Sequence, residues 1–335
     1  MKISIILGTR PEIIKMSPIV RECERLGIDF FILHTDQHYS HNMDEIFLKQ
    51  LDLPAPKYGL DVGSGSHAEQ TGRMLIGIEK VLEKEEPDVV LVEGDTNTVL
   101  AGALAASKLG IRVGHVEAGL RSYDRSMPEE TNRVLTDHCS DYLFAPTEKA
   151  KKNLLSEGLP EDRIFVTGNT IVDAVHQNLE LANQKGNALD EFGLKPRDYF
   201  LVTAHRQENV DDFRTLQTLI KVFLKSPIPI VYPVHPRTLK RLEKTKLWSL
   251  LSTSKNVQLL PPVGYFDFLV LMKNCKIIIT DSGGVQEEAT TPPIRKPVLV
   301  TRISTERPEA VSAGFAIVVG TKSENITRTI NHLLS

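Results

Sequence analysis

At 335 residues the chain is too long for one ordinary hydrophobic core, so its length predicts two domains. A hydrophobic fraction of 41% and a charged fraction of 25% are those of an average globular protein, and a net charge of −3 supplies no basic footprint for nucleic acid. Any anionic ligand must then be held by local groups, because the field of the whole molecule will not attract it.

The chain opens on "MKISIILGTRPE", whose apolar run stops at a glycine and an Arg-Pro. It reads as a first β-strand and not a signal peptide. A helix follows from Pro11; then come "FFILH" and a helix near Met43 to Leu51. From His67 to Glu86, Met74, Leu75, Ile78, Val81 and Leu82 share one face at helical spacing. "DVVLV" leads into a helix over "TVLAGALAASKL", and "IRVGHV", "YLFAP" and "RIFVTG" complete a first set of strands. The polar stretch Asn183 to Asp198 reads as a linker. A second series follows: "YFLVTAH", "IPIVYPVH", "NVQLLPP", "CKIIITDSGG", "KPVLVTR" and "AIVVG". Continuous apolar strands alternating with helices imply parallel sheets covered on both faces, hence two doubly wound α/β domains. The three cysteines, Cys23, Cys139 and Cys275, are far apart and form no CxxC pair, which argues against a disulfide framework or a zinc site and suits a reducing cytoplasm. No segment approaches the ~20 apolar residues that span a bilayer.

In open α/β sheets, ligands bind beyond the carboxyl ends of the strands. Those exits carry Arg10 and Lys15 after the first strand, Asp95 in "EGDTNT", and Glu117 followed by a loop from Arg121 to Arg133. In the second half they carry His205 and Arg206, His235 and Arg237, and "DSGGVQEE". A glycine-rich turn opening a helix, as in "DSGG", offers free backbone N–H groups to a phosphate. Each residue also has a plainer reading. Asp95 and Asp281 suit helix N-caps, Glu129 and Glu130 after Pro128 suit a helix first turn, and His235 alone suits a structural role. Glu117 is harder to dismiss, since a glutamate closing an apolar strand is seldom surplus. "GTRPE" is not GxGxxG and gives no support to nicotinamide binding. Together the exits favour a cleft that binds a phosphate-bearing ligand and presents several carboxylates.

The motifs "GTRPEIIK", "QH", "GDTNT", "HVEAGLRS", "PEExNR", "PTExAxxNL", "GNTIVD", "HRxEN", "DSGGVQEEA" and "TERPEAV" stand in an order that resembles the non-hydrolysing UDP-N-acetylglucosamine 2-epimerases, from about Met1 to the end of the chain. The resemblance implies a glycosyltransferase-B-like architecture: two Rossmann-like doubly wound domains facing across a cleft. Residues 1–170 would carry the catalytic carboxylates and residues 171–335 would bind UDP. It implies reversible conversion of UDP-GlcNAc to UDP-ManNAc with no redox cofactor and no metal, by loss of UDP to a 2-acetamidoglucal and its re-addition. It further implies a cytoplasmic homodimer without membrane or nucleic-acid partners, supplying UDP-ManNAc for polysaccharide or glycan synthesis. By the same resemblance the catalytic set is Asp95, Glu117, Glu129 and His205. The substrate-binding set is Arg10, Lys15, Arg133, His235, Phe268 (packing on uracil), Ser282, Gly283, Gly284, Glu288 (toward the ribose) and Arg307. Gln37, His38, Gln70 and Arg206 match a site for a second, activating UDP-GlcNAc.

Several stretches depart from the family pattern. Gln207 stands where many members have a second Arg, Ile303 where an Asp is common, and "EEATTPPIRKPVL" is longer than usual. "QHYSHNM" is longer than the family's short form, so activation by a second ligand is expected to be weak. The chain ends at Ser335 without the "NPYGDG" segment and closing helix, an absence expected to lower stability. Besides the non-hydrolysing epimerase, the sequence leaves a hydrolysing relative releasing ManNAc and UDP, a retaining glycosyltransferase, and a non-catalytic nucleotide-sugar-binding homologue.

Overall fold

A computed structural model describes residues 1–36, 47–185, 188–305 and 307–335. The chain divides into two compact units, Met1–Ala174 and Val175–Ser335.

The first unit is built on a seven-stranded, all-parallel sheet in the order β3-β2-β1-β4-β5-β6-β7. The strands are β1 Lys2–Leu7, β2 Asp29–His34, β3 Tyr58–Gly59, β4 Val89–Glu93, β5 Arg112–Val116, β6 Tyr142–Ala145 and β7 Ile164–Val166. β1 is buried from Ile3 to Leu7 because helices cover both faces, and Ile5 pairs with Ile32 on one side and Leu91 on the other. From β1 the chain steps outward through β2 and β3, then returns to β1's other side as β4. The strand order therefore reverses between β1 and β4, and their carboxyl ends flank the crevice where such sheets bind ligands.

The helix His67–Glu85 starts at a capping box of Ser66 and Glu69 and buries Met74, Ile78, Val81 and Leu82, as its spacing predicts; Leu75 is only partly covered. It packs on the helix Asn97–Lys108, which buries Ala101, Ala103, Ala105 and Ala106. Small residues here let that helix close on the sheet: a Cβ at Gly102 would stand 3.0 Å from the Val92 side chain.

The second unit holds a six-stranded parallel sheet in the order β10-β9-β8-β11-β12-β13. Its strands are β8 Phe200–Thr203, β9 Ile230–Pro233, β10 Val257–Leu260, β11 Ile277–Thr280, β12 Val298–Val300 and β13 Ala316–Val318. The reversal falls between β8 and β11. Leu216, Leu219, Ile220 and Phe223 of the helix Phe213–Leu224 share one core with Ile326 and Ile330 of the last helix, Ser323–Leu334.

Every strand expected from the apolar runs is present. β3 is not among them, because two residues in a polar stretch carry no periodicity. The supposed linker is more structured than its composition indicates. A helix runs through it to Lys185, a short one covers Ala188–Glu191, and Ala182 and Ala188 pack with Val270. Of the helix expected over Met43 to Leu51, residues 47–51 are described; 47–50 are helical and Leu51 is a turn. Among the described residues no helix is long and apolar enough to cross a membrane.

Candidate active site

The first unit gathers its polar groups at the β1/β4 reversal. Gly8 leaves β1 so close to Thr35 and Thr98 that a Cβ would overlap both hydroxyls; only glycine fits. The backbone N–H groups of Gly8 and Thr9 donate to Glu12 Oε2 at 2.6 and 3.2 Å, and Thr96 Oγ1 donates to Glu12 Oε1 at 2.6 Å. Glu12 therefore fastens the loop after β1 to the loop after β4. Burial outweighs these donors and pushes its carboxyl up to about 7.

One helical turn beyond Glu12, Lys15 points the same way. Its ammonium donates to Glu117 Oε2 and lies 3.3 Å from Glu93 Oε1, and all three side chains are buried. Burial, and then the neighbouring carboxylates, hold the Glu93 carboxyl well above its usual range, with Lys15 opposing. Asn169, just before the helix Thr170–Lys185, donates to the same Glu117 oxygen at 3.4 Å. Glu117 has φ +70°, a left-handed backbone that costs a non-glycine residue ~1–2 kcal/mol. One buried aliphatic side chain supplies ~1.5–3 kcal/mol, so the core around β5 sustains that strain. The kink turns the carboxylate toward Lys15 at the point where the strand ends.

Asp95 pairs with Arg133, which also holds Glu130 at 2.9 Å. Asn132 Nδ2 donates to the Asp95 carbonyl at 3.0 Å and to Asn97 Oδ1 at 3.2 Å, locking the helix Pro128–Cys139 to the loop after β4. The two glutamates after Pro128 separate in role. Glu130 accepts from the Ser122 and Tyr123 backbone N–H groups, each at 2.9 Å, and so ties down the preceding loop. The side chain of Glu129, half-buried on the adjacent position of the same turn, makes no hydrogen bond or ion pair among the described residues.

Two polar residues of the "GHVEAGLRS" stretch are scaffold. His115 Nδ1 meets Asp137 Oδ1 at 2.6 Å, and its Nε2 meets the Gly94 carbonyl at 2.8 Å, next to Asp95. Arg121 pairs with Asp137 at 2.7 Å and donates twice to Glu157, at 2.7 and 2.6 Å. Arg10 lies with its guanidinium 5.4 Å from the Phe47 ring centroid. Gln70 donates to the Gly63 carbonyl at 2.9 Å and accepts from Asn97 at 3.4 Å, which links it to the loop after β4. Gln37 and His38 lie outside the described residues.

The second unit organises its exits around Asp281, fully buried after β11. Its carboxylate accepts from the backbone N–H of His205 at 3.0 Å, from that of Arg206 at 3.0 Å and from Asn209 Nδ2 at 3.0 Å; His205 Nδ1 lies 3.4 Å away. The N-cap reading of Asp281 and of Asp95 is thereby corrected. The caps are the next residues, Ser282 and Thr96, whose hydroxyls accept from Val285 and Val99 N–H, leaving the two carboxylates for other partners. His235 does cap a helix, Pro236–Glu243, with its Nδ1 accepting from Arg237 N–H at 3.2 Å. It also faces His205, with ring centroids 5.4 Å apart.

His205 and His235 line a pocket with Pro233, Pro262, Val263 and Phe268, apolar walls beside two imidazoles. Burial lowers the pKa of both rings, with the His205 charge the next cause at His235. Beside them, Ser282, Gly283 and Gly284 open the helix Gly283–Thr290, where a Cβ at Gly284 would meet nothing nearer than Ser282 Oγ at 4.0 Å. Glu288 is buried on this helix, and Arg307 pairs with its neighbour Glu287 at 3.1 Å.

Sequence reasoning passed over Glu12, Glu93, Asn97, Asn132 and Asn169, and considered Asp281 only as a cap. Glu93 carried the same signal as Glu117, a carboxylate closing an apolar strand. The asparagines carried none, because an amide's partner is set by what folds against it.

A family model described as UDP-N-acetylglucosamine 2-epimerase matches residues 21–335. The chain is 56% identical to a UDP-N-acetylglucosamine 2-epimerase of Methanocaldococcus jannaschii, over 100% of this chain and 93% of the relative. It is 42% identical to a UDP-2,3-diacetamido-2,3-dideoxy-D-glucuronate 2-epimerase of Pseudomonas aeruginosa, over 98% of this chain and 91% of that one. The solved structure of the M. jannaschii UDP-GlcNAc 2-epimerase in complex with UDP-GlcNAc and UDP matches with a TM-score of 0.88, covering 100% of this chain and 93% of its own. A Neisseria meningitidis UDP-GlcNAc 2-epimerase bound to UDP-GlcNAc, 40% identical, also matches at 0.88, covering 100% and 91%. The α/β, glycosyltransferase-B-like architecture implied by the sequence is the one these neighbours share.

Proposed function

The chain belongs to the UDP-N-acetylglucosamine 2-epimerase family, and from that premise we propose that it interconverts UDP-GlcNAc and UDP-ManNAc by eliminating and re-adding UDP. The observation that carries the reading is the acidic cluster at the first unit's strand reversal: Glu117, strained and paired with Lys15, beside Asp95 paired with Arg133.

The proton on sugar C2 is not beside a carbonyl, so a carboxylate cannot remove it directly. As the C1–O bond to UDP breaks, the sugar ring becomes cationic and the C2–H acidic. Carboxylates then stabilise the cation and take the proton, giving a 2-acetamidoglucal and UDP. UDP adds back at C1 while a proton arrives on the other face of C2. No electron is gained or lost, so the chemistry is redox-neutral. In this reading Asp95, Glu117 and Glu129 share the sugar chemistry. The Ser282–Gly284 helix start takes the departing diphosphate, His205 assists it, and Phe268 packs on uracil. The wider reading, which rests on the family resemblance, is a cytoplasmic homodimer whose UDP-ManNAc feeds surface polysaccharide or glycan synthesis.

The test is incubation with UDP-GlcNAc in D2O, followed by NMR of the products. UDP-ManNAc carrying deuterium at C2 is expected. Free ManNAc in step with UDP would assign the chain to the hydrolysing class, and UDP-ManNAc without solvent deuterium would refute the elimination. The P. aeruginosa relative is named for a diacetamido uronic acid, so that nucleotide sugar belongs in the same assay. Faster turnover of it would shift the substrate and leave the reaction class intact.

A further inference from the structure

Glu93 is a buried acid that the mechanism above does not use. It closes β4 one residue before Gly94, and its side chain is 2% exposed. One ammonium, Lys15, stands between two carboxyl groups and treats them unequally. Glu117 accepts a hydrogen bond from it, whereas Glu93 Oε1, 3.3 Å away, is out of hydrogen-bonding alignment and has no donor among the described residues. A buried carboxylate without donors costs several kcal/mol when ionised, so the proton that neutralises this trio belongs on Glu93.

We propose that Glu93 is a positioning residue: as a neutral acid it leaves Lys15 to Glu117, and on ionising it draws Lys15 away and frees Glu117. The surrounding charges point the same way. Glu93 faces Lys15 and Glu12 from the helix Arg10–Leu26, Asp95 from its own loop, and Glu117 from the end of β5. Three other acids and one lysine thus act on Glu93, and Arg133 is committed to Asp95 and Glu130. Among the described residues Lys15 is the one cation paired with Glu93, so an added negative charge there competes for it. Glu93 touches no substrate in this account; it acts through the Lys15–Glu117 pair.

The kinetic arm of the test rests on the epimerase reading. The turnover number is measured against pH for the wild type and Glu93→Gln, each profile scaled to its own plateau. The wild type is expected to fall on the alkaline side, ~tenfold per pH unit past the midpoint for a single titrating group. Glu93→Gln, whose amide mimics the neutral acid, is expected to lack that limb. An unchanged alkaline limb, or turnover lost at every pH, overturns the proposal. A second arm needs no turnover and stands even if the chain has another substrate. With glutamate side chains labelled at Cδ with 13C, the carboxyl signals are titrated in the wild type; Glu93→Gln identifies that of Glu93, and Glu93→Asp serves if the first variant does not fold. The Glu117 signal should show a second inflection at the pH where Glu93 ionises, and should lose it in either variant. A Glu117 signal that does not respond to Glu93 overturns the proposal.

Discussion

Replacing Asp281 by asparagine tests whether one buried carboxylate holds the second unit's strand exits together. The amide has the same size, so no cavity opens. Oδ2 now accepts three hydrogen bonds, from His205 N–H, Arg206 N–H and Asn209 Nδ2, all at 3.0 Å. A charge-assisted bond is worth ~1.5–3 kcal/mol and a neutral one ~0.5–1.5, so three such bonds lose ~3 kcal/mol. Relief of burying a charge returns part of this, which leaves ~2–3 kcal/mol. In a unit of this size each kcal/mol lowers the melting temperature by ~2–4 °C, so a fall of ~4–12 °C is expected by calorimetry. Asn209 also donates to the Thr301 carbonyl at 3.0 Å, so the loosening should spread to the end of β12. His205 loses its anchor while the Ser282–Gly284 helix start keeps its own cap. Turnover of UDP-GlcNAc should accordingly drop ~10–100-fold, an expectation sized to the lost positioning of one acid–base group, with UDP affinity falling less. Both are read from one preparation, by NMR of the anomeric protons and by titration calorimetry with UDP. A variant that melts and turns over like the wild type would refute the reasoning, since the His205 and Arg206 N–H groups share Asp281 as their acceptor.

Asp95→Asn and Glu117→Gln should each retain UDP binding and lose two or more orders of magnitude of turnover, ~10²–10⁴-fold, because in the proposed mechanism the sugar and not the nucleotide meets these carboxylates; near-normal turnover would remove that residue from the mechanism. Phe268→Ala should weaken UDP ~10–100-fold by calorimetry, the loss of one aromatic face under a base, and unchanged affinity would show that uracil packs elsewhere. Glu12 gives a pH signature opposite to that of ordinary acid denaturation. With its folded pKa raised to about 7 from 4.5, its contribution is full below pH 4.5 and lost as pH rises through 7. That amounts to ~3 kcal/mol by linkage; Glu12→Gln should remove this part of the slope in urea melts, and an identical slope would show that Glu12 is ionised in the fold.

The architecture was legible in the sequence because its signal is local. Runs such as "ISIIL" and "CKIIIT" are apolar at every position, and only strands buried on both faces require that; the helical spacing of Met74, Ile78, Val81 and Leu82 follows from a period of 3.6. The gathering of polar groups at the strand reversals was legible too, since strand exits meet wherever the strand order reverses. What each polar group does there was not. Asp281 and Asp95 are spaced as helix caps, yet the hydroxyls one residue later cap the helices, and the carboxylates reach across to His205 and Arg133. Glu129 and Glu130 are adjacent in one helical turn, and only the loop folded over Glu130 makes it a fastener, while its neighbour's side chain has no partner among the described residues. Arg121 and His115 stand among catalytic candidates in the chain and turn out to brace Asp137. Lys15, Glu93 and Glu117 come from three elements, with 78 and 24 positions separating them in turn, so no window on the chain shows one ammonium set between two acids. Local backbone preference writes strands and helices into the sequence. The partner of a buried charge is decided by whichever element closes over it, and that information exists only in the folded chain.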